Sequence, residues 1–149
     1  MRAVIQRVLQ ASVEVEGKTV ASIGRGLMVL AGLHESDTSV DRDYILGKIL
    51  GVRIFNDPQG VMNLSVADTD GEILLVSQFT LYGDARRGKR PSYSSAMKPD
   101  TAGKAFADFV AQCRALHPKT ETGVFSADMK VSLVNDGPVT ILLDSSRIL

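Results

Sequence analysis

Two polar segments set into apolar surroundings are where this chain could do chemistry: Ser77-Gln78-Phe79-Thr80-Leu81 and Asn135-Asp136-Gly137-Pro138-Val139-Thr140. The first follows Ile73-Leu74-Leu75-Val76, which reads as a buried strand, so hydroxyls and an amide arrive where further core residues are expected. Thr80 is the obvious side-chain nucleophile there. Nothing near it in sequence would deprotonate it, and an unactivated hydroxyl is weak. The second segment places Gly137-Pro138 between apolar runs at Val131–Val134 and Val139–Leu143. Proline has no N–H and glycine weakens a strand, so this pair must turn, bulge or present backbone to something. Taken singly, each segment has a blander reading, as a strand turning polar where it leaves the core and as a tight hairpin turn.

Other chemistries find no support. Gly17-Lys18-Thr19 suggests a phosphate-binding loop, but Ser12 stands where that motif needs its first glycine. There is no Gly-x-Ser-x-Gly elbow, and no pair of histidines at metal-ligand spacing. With only His34 and His117 in the chain, a Ser-His-Asp triad has few ways to assemble. His34 closes a strand that reads as buried, and His117, beside Pro118, reads as a surface histidine at a helix end. The single cysteine, Cys113, excludes an intramolecular disulfide and a cysteine-rich zinc site. No metal or organic cofactor is implied.

These segments need a scaffold, and 149 residues at 44% hydrophobic suffice for one well-filled core, so a single domain spanning 1–149 is expected. Lys+Arg and Asp+Glu balance at 17 each, which argues against nonspecific coating of nucleic acid but not against a local basic grip. The first residues break into charge too early for a signal peptide, and no apolar run is long enough to span a bilayer. A soluble cytoplasmic protein is the expectation.

Strands are predicted over 2–9, 12–16, 19–23, 27–33, 61–64 and 72–82, with further strands near 120–125, 129–134 and 139–144. A helix is predicted from about Asp37, capped by Ser36 or Asp37, with Val40, Tyr44, Ile45, Ile49 and Val52 on one stripe. A second starts near Pro99 and carries Ala102, Phe106, Phe109, Val110 and Cys113 on one face. The sum is an α+β domain: a curved, antiparallel-rich β-sheet or barrel with two covering helices.

Taken together, the two polar segments closely resemble the SQFTL and NxGPxT signatures of the D-aminoacyl-tRNA deacylases. Further matches fall in order along the chain: Ile5-Gln6-Arg7-Val8, Arg53-Ile54-Phe55, Met62-Asn63-Leu64, Arg90-Pro91-Ser92-Tyr93, Thr122-Gly123-Val124-Phe125 and Ala127-Asp128-Met129. The resemblance implies hydrolysis of the ester joining a D-amino acid to the terminal adenosine of tRNA. It also implies a homodimer with an active site at each end of the subunit interface, each pocket receiving a cis Gly-Pro, here Gly137-Pro138, from the partner. Such a filter is physically sensible. An apolar pocket separates close shapes by only about 1–3 kcal/mol, whereas rigid carbonyls can bond the α-amino group and occupy the space an L side chain needs. A filter of that kind cannot exclude glycine, so glycyl-tRNA is expected to be cleaved too.

Carried over residue by residue, Ser77, Gln78, Phe79 and Thr80 line the catalytic pocket. The N–H groups around Phe79 and Thr80 are candidates for the oxyanion hole. Phe125 and Met129 match positions near the terminal adenosine, where an aromatic face can stack a base, though both also read as core. Arg7 would brace the Gly-Pro loop through its fork of donors, or lie on the surface. In a chain so poor in histidine, water activation by the 2′-hydroxyl of the substrate RNA is preferred over attack by Thr80. The stretch 85–99 holds five basic residues and no acidic one, and directly follows the candidate catalytic strand. Phosphate contacts near the tRNA acceptor end are therefore expected from it. Two residues depart from the family pattern: Ser126, where Gly or Ala is usual, and Tyr93, where Phe is frequent and whose hydroxyl could add a hydrogen bond. The competing readings are a non-catalytic module binding the tRNA acceptor end and a general hydrolase of small esters.

Overall fold

The computed structural model describes residues 1–149. Strands β1 (Arg2–Val15), β2 (Lys18–Ile23) and β3 (Gly26–Gly32) lead into helix α1 (Ser39–Gly51). Then come β4 (Phe55–Asn56), β5 (Met62–Leu64) and β6 (Glu72–Ser77), a 3-10 turn (Phe79–Tyr82), helix α2 (Pro99–Leu116), β7 (Thr120–Thr122) and β8 (Lys130–Asp144). The main sheet runs β2-β1-β3-β6-β7 with β8 added on β1, and β4-β5 form a separate ribbon. β1 pairs antiparallel with β2, β3 and β8, while β3-β6 and β6-β7 are parallel. The sheet is therefore mixed, and it curls nearly into a barrel.

Both faces of this sheet are covered, which is why its central strands are apolar throughout. Ile5, Leu27, Val29, Ile73 and Leu75 face Ile45 and Ile49 of α1 and Phe106 and Phe109 of α2. The alternate residues Met28, Leu74 and Val76 turn inward against Val8, Val13, Ala21 and Ile23. Period-two alternation across β6 thus feeds two cores from one continuous run. Phe109 is fully buried, and such a side chain contributes roughly 1.5–3 kcal/mol by leaving water.

Several predicted boundaries move. Residues 2–9 and 12–16 are one strand, bent where its register with β8 shifts between Gln6 and Gln10. The strand predicted over 72–82 ends at Ser77, because the chain turns at Gln78. β7 stops at Thr122. α1 is capped by Thr38, whose hydroxyl accepts from the Val40 N–H while Asp41 accepts from the Thr38 N–H. Asp37 is occupied elsewhere: it accepts from the His34 N–H and pairs with the α-ammonium of Met1. α2 begins as expected, with Pro99 in its first turn. His117 is not a surface residue; it is buried, with Nε2 2.7 Å from the Gly71 carbonyl. No helix is long and apolar enough to cross a membrane.

Candidate active site

β6 delivers Ser77 beside Ala31 of β3, and the Gln78 N–H makes the last bond of that ladder, to the Ala31 carbonyl at 2.8 Å. The chain then winds into the 3-10 turn, closed by Leu81 N–H to Gln78 O and Gly83 N–H to Thr80 O. The N–H groups of Phe79 and Thr80 open that turn and so have no carbonyl partner within it. Arg2 fixes the turn's far end, donating to the Leu81 carbonyl at 3.0 Å with its guanidinium 4.7 Å over the Tyr82 ring. It is itself held by Asp144 at 2.8 Å. Burial opposes ionisation of Asp144, but hydrogen bonds from Ser146 and Arg2 outweigh it and hold the carboxyl below its ordinary range.

A mostly apolar cleft of about 340 Å3 opens where the turn leaves the sheet. Ser77, Gln78 and Phe79 form one side, the start of α2 (Pro99, Ala102, Phe106) another, and Phe125, Met129 and Val131 a third. An apolar cleft with a few convergent polar groups is the usual form of a small-ligand site. Five of the residues singled out by sequence therefore meet here. Thr80 does not line the cleft; its hydroxyl accepts from the Gln78 side-chain amide, a donor that offers no base. A larger cleft of about 550 Å3 lies near Met1, His34 and Tyr82, but its charges satisfy one another through Met1–Asp37, Arg2–Asp144 and Arg86–Asp84. His34 belongs to that cleft, and no histidine lines the smaller one. No group of three or more His, Cys, Asp or Glu side chains is arranged to hold a metal.

The walls of the apolar cleft rest on glycines. A Cβ on Gly103 of α2 would stand 3.3 Å from the Phe125 ring, and one on Gly123 would stand 2.7 Å from the Met129 sulfur. Phe125 also lies against Phe106, with ring centroids 6.1 Å apart. Ser126 adopts φ +65°, the left-handed region that glycine favours, so the serine stands there at a cost in backbone strain. Tyr93 packs edge-on against Phe79 at 5.2 Å, and its hydroxyl finds no hydrogen-bond partner in the chain.

Gly137-Pro138 is neither a hairpin nor part of this cleft. β8 is one strand: Val8 pairs with Asn135 and Gln6 with Thr140, so residues 136–139 bulge out opposite Arg7 alone. The Gly137-Pro138 bond is cis. Asn135, which carried no role in the sequence reading, spans the bulge: Oδ1 accepts from the Val139 N–H at 2.8 Å, and Nδ2 donates to the Val139 carbonyl at 3.3 Å. Arg7 is buried and donates to the Asp136 carbonyl at 3.0 Å and the Ile54 carbonyl at 2.7 Å. Gly137 has φ +139°, and a Cβ there would meet Val139 and the Arg7 guanidinium. Arg7 therefore sits against the bulge, far along the sheet from Ser77: its β3 partner Leu27 pairs with Ile73, four residues earlier on β6.

Known proteins resemble this chain in sequence and in fold. The sequence model of the family described as D-Tyr-tRNA(Tyr) deacylase matches residues 4–144. D-aminoacyl-tRNA deacylases of Thermosipho africanus and Desulfitobacterium hafniense are 57% and 56% identical, each match covering 99% of both chains. Among solved structures, a c-Myc DNA unwinding element binding protein superposes with a TM-score of 0.93 at 41% identity, over 97% of this chain and 98% of that one. A probable eukaryotic D-amino acid tRNA deacylase superposes with a TM-score of 0.81 at 20% identity, over 96% and 98%, a likeness of fold alone.

Proposed function

Because the chain belongs to the D-Tyr-tRNA(Tyr) deacylase family and is a D-aminoacyl-tRNA deacylase, we propose that it cleaves the ester in the cleft between Ser77–Phe79 and Phe125–Met129. The meeting of these residues on one apolar cleft carries the assignment. Water adds to the ester carbonyl, the tetrahedral oxyanion forms against the N–H groups of Phe79 and Thr80, and collapse frees the D-amino acid and the terminal hydroxyl of tRNA. The cleft has no histidine, its one carboxylate, Asp128, is exposed and paired with Lys130 at 2.9 Å, and Thr80 has no base beside it, so the neighbouring 2′-hydroxyl of the RNA assists the water. Phe125 and Met129 hold the terminal adenosine.

The chiral filter comes from a second copy. Val131 on the cleft wall and Gly137 share one strand, six residues apart, which at about 3.3 Å per residue is roughly 15–20 Å. A chain's own Gly-Pro bulge therefore stands outside its own cleft. β8 is paired on one edge only, and Val134 and Leu142 are exposed along it, a surface suited to a homodimer. In the dimer the partner's Gly137-Pro138 carbonyls read the α-amino group and exclude an L side chain, while glycine is admitted.

Hydrolysis time courses on D-tyrosyl-tRNA and L-tyrosyl-tRNA test this, with Gly137→Ala beside the wild type. Rapid loss of the D ester alone, weakened in the variant, is the expected result. Decay of both esters at the uncatalysed rate would leave only an RNA-end-binding module.

A further inference from the structure

We propose that the loop closed between Asp84 and Ser92 is a phosphate clamp for the RNA strand leading to the scissile ester, with Arg87 and Arg90 as its contacting groups. The proposal rests on the reading of the Ser77–Phe79 cleft as the place of hydrolysis. Asp84 and Ser92 exchange both backbone hydrogen bonds, at 2.8 and 2.9 Å, and so pinch the loop at its neck. Between them lie Arg86, Arg87, Lys89 and Arg90. The only acid in the segment is Asp84, and it is engaged by Arg86 through Nε at 2.9 Å and a second nitrogen at 2.6 Å. These hydrogen bonds hold the Asp84 carboxyl well below the usual carboxylate range, so Arg86 stays compensated at any working pH. Arg87 and Arg90 have no ion pair, and with Ser92 and the Asp84–Arg86 pair they border a hollow of about 470 Å3.

In a chain whose charges balance overall, this is a local surplus of cations with an opening among them. Its position gives it a use. One residue, Gly83, separates the neck from the 3-10 turn that presents Phe79 and Thr80. On the other side Tyr93, next to Ser92, lies against the Phe79 ring. A Cβ on Gly83 would press on the Thr80 carbonyl and the Tyr93 ring, so glycine lets the neck close onto the turn. The clamp is thus tied at both ends to the rim of the cleft. An RNA strand whose terminal ester lies in the cleft brings its preceding phosphates to this rim. Free guanidiniums suit those phosphates, since each contact releases counterions.

The test compares wild type with Arg87→Ala/Arg90→Ala on D-tyrosyl-tRNA and on D-tyrosyl-adenosine, which carries the ester without a phosphate. A single-strand contact changes the logarithmic salt slope by about 0.7, or roughly 5-fold in affinity at about 0.1 M salt. The double variant should lose roughly 25-fold in kcat/KM on the tRNA at that salt, with a slope shallower by about 1.4. That loss should be confined to the phosphate-bearing substrate, and Asp84→Asn/Arg86→Ala, which removes the compensated pair together, should lose less than about 5-fold. Binding of an uncharged acceptor minihelix should weaken in parallel, a readout independent of turnover. Equal losses on both esters would make the loop a support of the cleft, and unchanged minihelix binding would make it solvated surface; either overturns the clamp. Failure of the wild type to cleave either ester would refute the cleft assignment instead.

Discussion

Gly103→Ala should make the protein more stable and a poorer enzyme, and the opposed signs make it informative. Gly103 lies within α2, where glycine costs about 1 kcal/mol relative to alanine, so the substitution should raise Tm by roughly 2–4 °C if nothing obstructs it. The only neighbour the new methyl group meets is the Phe125 ring, at 3.3 and 3.5 Å for its two nearest atoms. That ring is half-buried, backed by Phe106 on one side and open to the cleft on another, so it can yield by a few tenths of an ångström toward the substrate. Stacking on an aromatic side chain contributes about 1–3 kcal/mol per base. Losing about 1 kcal/mol of it raises KM for D-tyrosyl-tRNA about 5-fold with kcat nearly unchanged. Thermal unfolding and steady-state kinetics on one preparation read both effects. In a Phe125→Ala background the KM effect of Gly103→Ala should vanish, since the two positions are coupled only through the ring. A gain in Tm with unaltered KM would refute the role of Phe125 as a wall of the substrate site. A fall in Tm would show that the ring cannot yield.

Other perturbations follow from the same contacts. Arg7→Ala removes two charge-assisted bonds, to the Ile54 and Asp136 carbonyls, and should lower stability by about 2–4 kcal/mol in urea titrations. Arg7→Lys should recover less than half of it, and a loss below about 1 kcal/mol would contradict the bracing role. Thr80→Ala should keep kcat within about tenfold of wild type, since its hydroxyl has no base beside it; a drop beyond about a thousandfold in a folded variant would restore Thr80 as nucleophile. Asp144 has its pKa depressed in the folded state, so its contribution is present above the ordinary carboxylate value near 3.9 and is lost as pH falls through the lower folded value. Asp144→Asn should be less stable at pH 7 and show a shallower decline below about pH 4; parallel declines would refute that linkage.

Sequence reading reaches those elements whose local pattern and tertiary surroundings agree. β3 and β6 are legible because a strand covered on both faces is apolar throughout, and α2 because Pro99 and one apolar stripe mark it. It fails where a contact distant in sequence decides the conformation. Phe79-Thr80-Leu81-Tyr82 are residues that favour strands, and they read as one. They coil into a 3-10 turn because Gln78 makes the last ladder bond and Arg2, from the far end of the chain, holds the Leu81 carbonyl. Gly137-Pro138 looks locally like a hairpin, but both halves of β8 continue along β1, with Asn135 closing the gap. Gly103 and Gly123 escape notice because a glycine in an apolar stretch signals nothing until the ring or sulfur beside it is placed. The family signatures name the residues of the cleft, while their separation from Gly137-Pro138 becomes apparent only in three dimensions.

That separation makes the proposed division of the site between two copies testable by mixing. At substrate concentrations well below KM, Phe125→Ala impairs a cleft and leaves the Gly-Pro bulge intact; Gly137→Ala impairs the bulge, whose glycine has φ +139° and no room for a Cβ, and leaves the cleft intact. If each site joins one chain's cleft to the other's bulge, a mixed dimer holds one site with both parts intact and one with neither. Random reassociation of equal amounts makes about half of the dimers mixed, so about a quarter of all sites should regain wild-type activity on D-tyrosyl-tRNA. If instead each chain served its own cleft, every site would carry one defect and mixing would restore nothing. Co-expressing the two variants with different tags and purifying the mixed dimer sharpens the expectation to about half of wild-type activity. Recovery near those fractions would place the filter in trans, and activity at the average of the two parents would place it in cis.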